Sequence, residues 1–146
     1  MLELDGVNAY YESSHVLHDV AMRVEEGSLV TLVGRNGAGK TTTLKSVMGL
    51  VETEGAIRFR GEEISDRPPN GRGKLGISLI PEGRGLFPGL TVMEHLRLGY
   101  IGHEHTRSSE SLYEEVFDLF PRLAERRAQE ATTMSGGEQQ MLAIAR

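Results

Sequence analysis

The sequence predicts an α/β fold, and three observations carry that prediction. Residues 2–11 and 16–24 have the β-rich, partly alternating character of two neighbouring strands joined by a polar turn. An apolar run at residues 28–33 reads as a buried strand and leads through a glycine-rich segment into a helix at residues 41–48. Helical patterns then dominate after residue 90. The chain should therefore combine an N-terminal antiparallel β subdomain, an α/β core and a helical insertion.

Shorter elements fill the stretch between the first helix and the helical insertion. Residues 56–59 and 77–80 are predicted strands, and the second is expected to be buried and to end at Pro81. Residues 61–74 are polar and rich in glycine, proline and arginine, so we expect a loop with one helical turn.

Two helices are predicted within the insertion. Thr91 and Glu94 form a T-x-x-E capping box, which places a helix start near Val92. Residues 99–108 are a polar loop. The next helix ends at Pro121, because proline cannot continue a helix interior. Its apolar face consists of Leu112, Val116, Leu119 and Phe120.

The glycine-rich segment matches the phosphate-loop pattern G-x-x-x-x-G-K-[ST] between a strand and a helix. The matching residues are Gly34, Arg35, Asn36, Gly37, Ala38, Gly39, Lys40 and Thr41. The backbone N–H groups of such a loop and of the following helix bind phosphate oxygens. We expect Lys40 to contact the β- and γ-phosphates, Thr41 to ligate Mg²⁺ and Thr42 to support the α- and β-phosphates. The segment predicts a P-loop NTPase core.

Composition excludes several classes of function. The 146 residues are 38% hydrophobic and 25% charged, with no cysteine and a formal net charge of −5. Disulfides and thiolate metal sites are therefore excluded, and a general nucleic-acid binder is disfavoured. The acidic N-terminus is unlike a signal peptide, and no apolar run approaches the roughly 20 residues of a membrane span. The run His103-Glu104-His105 is interpreted as a solvated loop rather than a metal site.

A second motif, Met-Ser-Gly-Gly-Glu-Gln-Gln at residues 134–140, opens another helix. Ser135 and Glu138 form an S-x-x-E capping box, which alone predicts only a helix start. Together with the upstream phosphate loop, however, it resembles the signature motif of the ATP-binding subunits of ABC transporters. Tyr11 stands where that family places an aromatic ring that stacks on adenine; Tyr10, next to it, could play that part or lie in the core. The stretch at residues 91–96 resembles the entry to the family's helical subdomain.

The resemblance implies an ABC ATPase that binds ATP and Mg²⁺ and works as a head-to-tail dimer. Each ATP would lie between the phosphate loop of one chain and the signature of the other. The signature residues that would hold its γ-phosphate are Ser135, Gly136, Gly137 and Glu138. The implied partners are transmembrane permease subunits and a second ABC ATPase subunit, identical or related, with no nucleic acid. The implied location is cytoplasmic, peripheral on the inner face of the cell membrane.

The resemblance also divides the chain and assigns roles within it. Residues 1–89 would form the β subdomain and phosphate-loop core, residues 90–134 the helical subdomain, and residues 135–146 the signature helix. Three basic side chains are expected to be solvated near a membrane-subunit contact: Arg67, Arg72 and Lys74.

Short residue runs in this sequence resemble one branch of the family in particular. The run Pro81-Glu82-Gly83-Arg84, followed by Leu86-Phe87-Pro88, resembles subunits of branched-chain amino acid importers. The family usually places a glutamine at the position of Glu82, where it ligates Mg²⁺ and relays to the membrane subunit. We therefore expect Glu82 to be a metal ligand, and Lys40, Glu82 and Ser135 to be the catalytic residues.

Other readings remain open from the sequence. The solute could instead be urea or a lipid, or the chain could be a soluble ABC protein of translation or DNA repair, or a non-catalytic regulatory module. The family's Mg²⁺-shell aspartate, catalytic glutamate and switch histidine follow the signature helix and are not among residues 1–146. We therefore expect the N-terminal part of a longer protein, whose core is incomplete. That part alone should bind nucleotide weakly, be poorly stable and hydrolyse ATP negligibly.

Overall fold

The computed structural model describes residues 1–101 and 107–146. The chain divides into two compact units, Met1–Leu79 and Ile80–Arg146. The His-Glu-His run at residues 103–105 lies outside the described residues. The three-part division at residues 89 and 134 stays a prediction.

The first unit is built on a four-stranded antiparallel sheet with the order β2-β1-β3-β4. Its strands are β1 (Leu2–Tyr11), β2 (Ser14–Val24), β3 (Glu52–Phe59) and β4 (Glu62–Glu63). The predicted antiparallel β piece is therefore confirmed, and β3 begins earlier than the short strand that the sequence predicted. The strand β1 lies between β2 and β3 and pairs with a strand on each side.

Helix α1 (Lys40–Met48) packs on this sheet through Val47. The core of the unit consists of Leu4, Val7, Val47, Ile57, Phe59 and Ile64. These side chains come from the sheet, from α1 and from the residue after β4. The burial of apolar area between helix and sheet stabilises the position of α1 and hence of the loop before it.

The prediction that Arg72 is solvated is wrong. Residues 69–74 form a short helix, α2 (Pro69–Lys74), and Arg72 is only 2% exposed. Its guanidinium donates to the carbonyl oxygens of Ser46 at 2.7 Å, Val47 at 3.0 Å and Ser65 at 2.6 Å, and Nε donates to that of Arg67 at 2.8 Å. A buried arginine needs partners for its fixed fork of donors, and carbonyls at the end of α1 supply them.

The two predicted buried strands at residues 28–33 and 77–80 are also wrong. Neither stretch is paired in the sheet of the described residues, and Leu29 and Val33 are 94% and 87% exposed. An apolar run becomes a buried strand only when neighbouring strands bond its backbone and cover its faces. The described residues provide no such neighbouring strands for either stretch.

The second unit is helical. Its helices are α3 (Val92–Tyr100), α4 (Ser109–Leu119), α5 (Pro121–Glu125) and α6 (Gly136–Ala145), with a 3₁₀ turn at Ala131–Thr133. The predicted capping box at the start of α3 is confirmed, and α4 ends before Pro121, which opens α5 instead. The buried core consists of Val92, Leu96, Phe117, Leu123, Ala131, Met134 and Leu142. No helix in the described ranges combines the length and the apolar character needed to cross a membrane.

A buried histidine joins α3 to the segment before it. His95 is fully buried, its Nε2 lies 2.9 Å from the N–H of Phe87, and its Nδ1 lies 2.9 Å from the carbonyl oxygen of Thr91. An N–H must donate and a carbonyl must accept, so the ring is neutral with its proton on Nδ1. The imidazole thus fixes the path of residues 86–91.

Candidate phosphate-binding and signature sites

The phosphate loop is a curled segment whose shape is held by its own lysine. Lys40 Nζ donates to the carbonyl oxygens of Gly34 at 2.9 Å and Arg35 at 2.8 Å, and the Ala38 N–H donates to the Arg35 carbonyl at 3.1 Å. These bonds turn the loop's carbonyls toward the ammonium group. Two of the three ammonium donors are engaged in this way, which leaves one to meet an incoming oxygen.

Gly39 is required where the loop enters α1. Its φ is +87°, and a Cβ at this position would lie 2.6 Å from Leu17 Cδ2. Only glycine combines this left-handed conformation with such close approach. Gly39 also stands at the N-cap position of α1, and it makes no side-chain capping bond. The first turn therefore presents backbone N–H groups and a positive helix end where an anion would bind.

Tyr11 and Tyr10 lie on opposite faces of β1. The residue Tyr11 is 40% exposed, and Lys45 Nζ of α1 lies 5.8 Å from the centroid of its ring. Tyr10 instead donates its hydroxyl to Glu54 at 2.9 Å and stacks on His15 with centroids 4.5 Å apart. The bond to Glu54 raises the pKa of the Tyr10 phenol. Tyr11 is thus the ring left available beside α1.

The remaining predicted nucleotide ligands differ in exposure. Thr41 is exposed in the first turn of α1, and Thr42 is buried, at 7%. Glu82 is exposed in the second unit, in the turn that begins at Pro81. Thr41 and the loop N–H groups suit a Mg²⁺-polyphosphate, because a hydroxyl oxygen can ligate the metal while the N–H groups hold phosphate oxygens. The roles of all three residues stay predictions.

The signature segment begins with a complete capping box, as predicted. The Glu138 N–H donates to Ser135 Oγ at 3.3 Å, and the Ser135 N–H donates to Glu138 Oε2 at 3.0 Å. Arg126 Nε lies 2.9 Å from Glu138 Oε1. The N–H and hydroxyl of Ser135, helped by Arg126, lower the pKa of Glu138. The carboxylate therefore stays charged at the start of α6.

The sequence did not predict a hydrogen-bonded link between two of its motifs. Arg84 Nη1 donates to Gln139 Oε1 at 2.7 Å, and Gln139 Nε2 donates to the carbonyl oxygens of Thr132 at 3.0 Å and Met134 at 3.1 Å. Arg84 belongs to the Pro-Glu-Gly-Arg run and Gln139 to the signature helix. Nothing in local spacing connects residues so far apart in sequence, although both lie in motifs that were already singled out.

Comparison with known proteins gives a consistent set of relatives. A family model described as ABC transporter matches residues 17–146. The high-affinity branched-chain amino acid transport ATP-binding protein BraG of Pseudomonas aeruginosa is 45% identical over all of this chain and 63% of its own length. The probable branched-chain amino acid transport ATP-binding protein LivF of Archaeoglobus fulgidus is 38% identical over 99% of this chain and 61% of its own length.

Solved structures agree with these relatives. An ATP-binding subunit of an ABC transporter superposes with a TM-score of 0.80 at 36% identity, covering 99% of this chain and 60% of that one. A dimeric bacterial ABC transporter cassette gives a TM-score of 0.83 at 24% identity, covering 99% and 68%, which supports the fold alone. The chain spans under two thirds of the length of the curated relatives described above.

Proposed function

Because the chain belongs to the ABC transporter family, we propose that it binds ATP with Mg²⁺ and powers the import of branched-chain amino acids through membrane partners. The observation that carries the ATP part of this proposal is the first turn of α1. It follows a lysine-bearing, glycine-rich loop and has no side-chain cap. The solute part rests on the two branched-chain relatives and on the Pro-Glu-Gly-Arg run.

In this proposal the phosphate loop binds the polyphosphate. The N–H groups of residues 34–39 and of the start of α1 donate to phosphate oxygens, and the third donor of Lys40 reaches the β- and γ-phosphates. The Thr41 hydroxyl ligates Mg²⁺, with Glu82 as a second oxygen ligand. Tyr11 offers its exposed ring to adenine. Bound ATP·Mg²⁺ supplies a cleavable γ-phosphoryl group, and these residues hold and orient it.

The signature segment acts on the ATP of a second ATPase subunit. Ser135, Gly136 and Gly137 would donate to its γ-phosphate at the start of α6, and closure of the two subunits would depend on that contact. Loss of the γ-phosphate would release them, and permease subunits would convert the cycle into transport. This arrangement puts the protein in the cytoplasm, on the inner face of the cell membrane.

Nucleotide titration tests the ATP part. The complete product of the gene, titrated with a fluorescent ATP analogue and Mg²⁺, should bind it, and Lys40→Ala should weaken binding by at least about tenfold, because a charge-assisted contact is lost. Lys74→Ala, at an exposed lysine of α2, is the matched control and should bind normally. Equal affinities for the two variants would contradict the proposal. The same assay with turnover, on residues 1–146 by themselves, tests the separate expectation of negligible hydrolysis.

Uptake tests the solute part. Cells that lack the gene should lose energy-dependent uptake of labelled leucine, isoleucine and valine, and the wild-type gene should restore it while Lys40→Ala should not. Labelled urea is included in parallel. Normal branched-chain uptake together with lost urea uptake would move the protein to another importer class. Unchanged uptake of all these solutes would reject the solute assignment and leave the ATP assignment standing.

A further inference from the structure

The turn after Pro81 contains an arginine whose backbone conformation is rare for residues other than glycine. Arg84 has a φ of +61°, and its N–H donates to the carbonyl oxygen of Pro81 at 2.8 Å, which closes the turn. Glycine suits a left-handed position without strain, whereas arginine does not. The shape of the turn therefore does not explain why this residue is an arginine.

The Arg84 side chain reaches the start of α6. Nη1 donates to Gln139 Oε1 at 2.7 Å, and Nη2 lies 3.2 Å from where a Cβ of Gly136 would stand. The other end of the Gln139 amide bonds the carbonyls of Thr132 and Met134. One continuous chain of bonds thus runs from the Pro81 turn to the backbone that leads into Ser135.

Each end of the Gln139 amide has a single hydrogen-bonding role in this link. The amide oxygen of Gln139 accepts from the guanidinium, and its NH₂ group donates to two carbonyls, so the amide is oriented by both sides. A guanidinium at the positive end of a helix gains nothing from the helix dipole. The hydrogen bond to Gln139 is the favourable polar interaction observed for this guanidinium.

We propose that Arg84 is a positioning residue that fixes the signature segment through Gln139 and couples it to the turn that contains Glu82. The inference rests on the proposed function, because it concerns how the signature is held ready for ATP. Arg84 itself touches no nucleotide in this proposal. It sets the path of residues 132–135, and a displacement at Glu82 is transmitted to Ser135 through one side-chain pair.

Two variants separate this link from the shape of the turn. Arg84→Gly keeps the left-handed turn and removes the side chain. Gln139→Glu keeps an acceptor for Arg84 but replaces the NH₂ donor by oxygen, so the bonds to Thr132 and Met134 are lost. Arg60→Gly is the matched control, because Arg60 also has a positive φ (+52°), is exposed and lies in the first unit.

The first readout is amide hydrogen exchange of the complete gene product over residues 132–139. Both variants should raise exchange there by about tenfold or more, since the segment opens locally once its link is cut. Arg60→Gly should leave it unchanged. Unchanged exchange in Arg84→Gly or in Gln139→Glu would overturn the inference, and this result does not depend on any ATPase activity.

The second readout is ATP turnover beside nucleotide affinity. We expect kcat to fall by about tenfold or more in both variants, since small misplacements of positioning groups slow a reaction strongly. Affinity for the fluorescent ATP analogue should stay within about twofold, because the phosphate loop is untouched. The Arg84→Gly/Gln139→Glu double variant should be no slower than either single variant, as expected for residues that act in one chain of contacts.

The outcomes distinguish two failures. A wild-type protein without Lys40-dependent binding or turnover would reject the proposed function, while the exchange result would still decide the link. Normal kcat in Arg84→Gly would reject the positioning role alone. A parallel loss of thermal stability, affinity and kcat in Arg84→Gly would also reject it, because that pattern indicates a general structural defect.

Discussion

Two helix N-termini carry the proposed chemistry, and they are built in opposite ways. Helix α1 begins at Gly39 with no side-chain cap and no acidic residue in its first turn. Helix α6 begins at Ser135 with a reciprocal capping box and Glu138 in its first turn. The first leaves backbone donors exposed for an anion, whereas the second satisfies the N–H groups of Ser135 and Glu138 internally.

This difference determines whether each N-terminus can bind phosphate without rearrangement. An uncapped end is less stable by itself but is ready for phosphate without rearrangement. A capped end is stable alone, and the carboxylate of Glu138 occupies the N–H of Ser135, which a phosphate would otherwise use. We expect the phosphate loop to bind nucleotide first and the signature to respond only when a γ-phosphate competes with its own cap.

The largest expected effect concerns the contacts that fix α1, whose N-terminus has no side-chain cap. Its C-terminal end is fixed by Gly49, which has a φ of +70°, and by buried Arg72. Arg72→Ala should lower the free energy of unfolding by about 3 kcal/mol, because it leaves buried carbonyls without donors. Chemical denaturation measures this. Arg67→Ala, at a more exposed arginine, is the control and should change little; an equally small effect at Arg72 would mean that α1 is not held from this end.

The next effect contrasts one glycine from each N-terminus. Gly39→Ala should cost about 2 kcal/mol, through its left-handed φ and the close approach of Leu17, and should abolish nucleotide binding. Gly137→Ala meets no atom within 4 Å and has no positive φ, so it should preserve or slightly raise the unfolding free energy. Denaturation of both variants makes the comparison. Similar destabilisation by the two changes would contradict it.

A smaller effect tests the cap of α6 itself. Ser135→Ala removes the side-chain acceptor and should cost about 1 kcal/mol, as is typical for a lost N-cap. Ser135→Asp keeps a capping oxygen and should keep stability, yet its charge should oppose a γ-phosphate and reduce turnover. Thermal unfolding and ATPase assays separate the two properties. Full turnover by Ser135→Asp would show that Ser135 does not face phosphate.

The smallest effect is a pH dependence that, of the two N-termini compared above, only the start of α6 should show. Hydrogen bonds from backbone N–H groups and hydroxyls lower the pKa values of Glu94, Glu130 and Glu138. A lowered folded-state pKa stabilises the protein above the pH where free glutamate titrates, about 4.3, and this contribution is lost as the pH falls through the lowered values. Unfolding of Glu138→Gln between pH 6 and 3 should show a shallower loss of stability than the wild type. An identical slope would indicate that the cap is not charge-dependent.

Local signals in the sequence were sufficient for most of the fold. Capping boxes at Thr91 and Ser135, the proline at 121 and the glycine-rich loop each depend on residues a few positions apart, so the sequence predicted them correctly. The antiparallel strands β1 and β2 were likewise adjacent in sequence. The position of the phosphate loop directly before α1 follows from these local elements.

Features that depend on distant partners were missed. Arg72 looked like part of a polar loop, and only the carbonyls of Ser46 and Val47 explain its burial. The apolar runs at residues 28–33 and 77–80 predicted strands, but a strand forms only when neighbouring segments hydrogen-bond its backbone. The bond from Arg84 to Gln139 is of the same kind, since no periodicity in one segment reveals a partner in another.

The alternation of Tyr10 and Tyr11 along β1 has a consequence for misfolding. Side chains on a strand point to opposite faces in turn, so pairing one residue out of register exchanges the two rings. Such a sheet would keep its strand content, and circular dichroism would not tell it apart from the native one. It would turn Tyr11 away from α1 and present Tyr10 there instead. Strand register, usually regarded as a matter of stability, thus also decides which ring a nucleobase could meet.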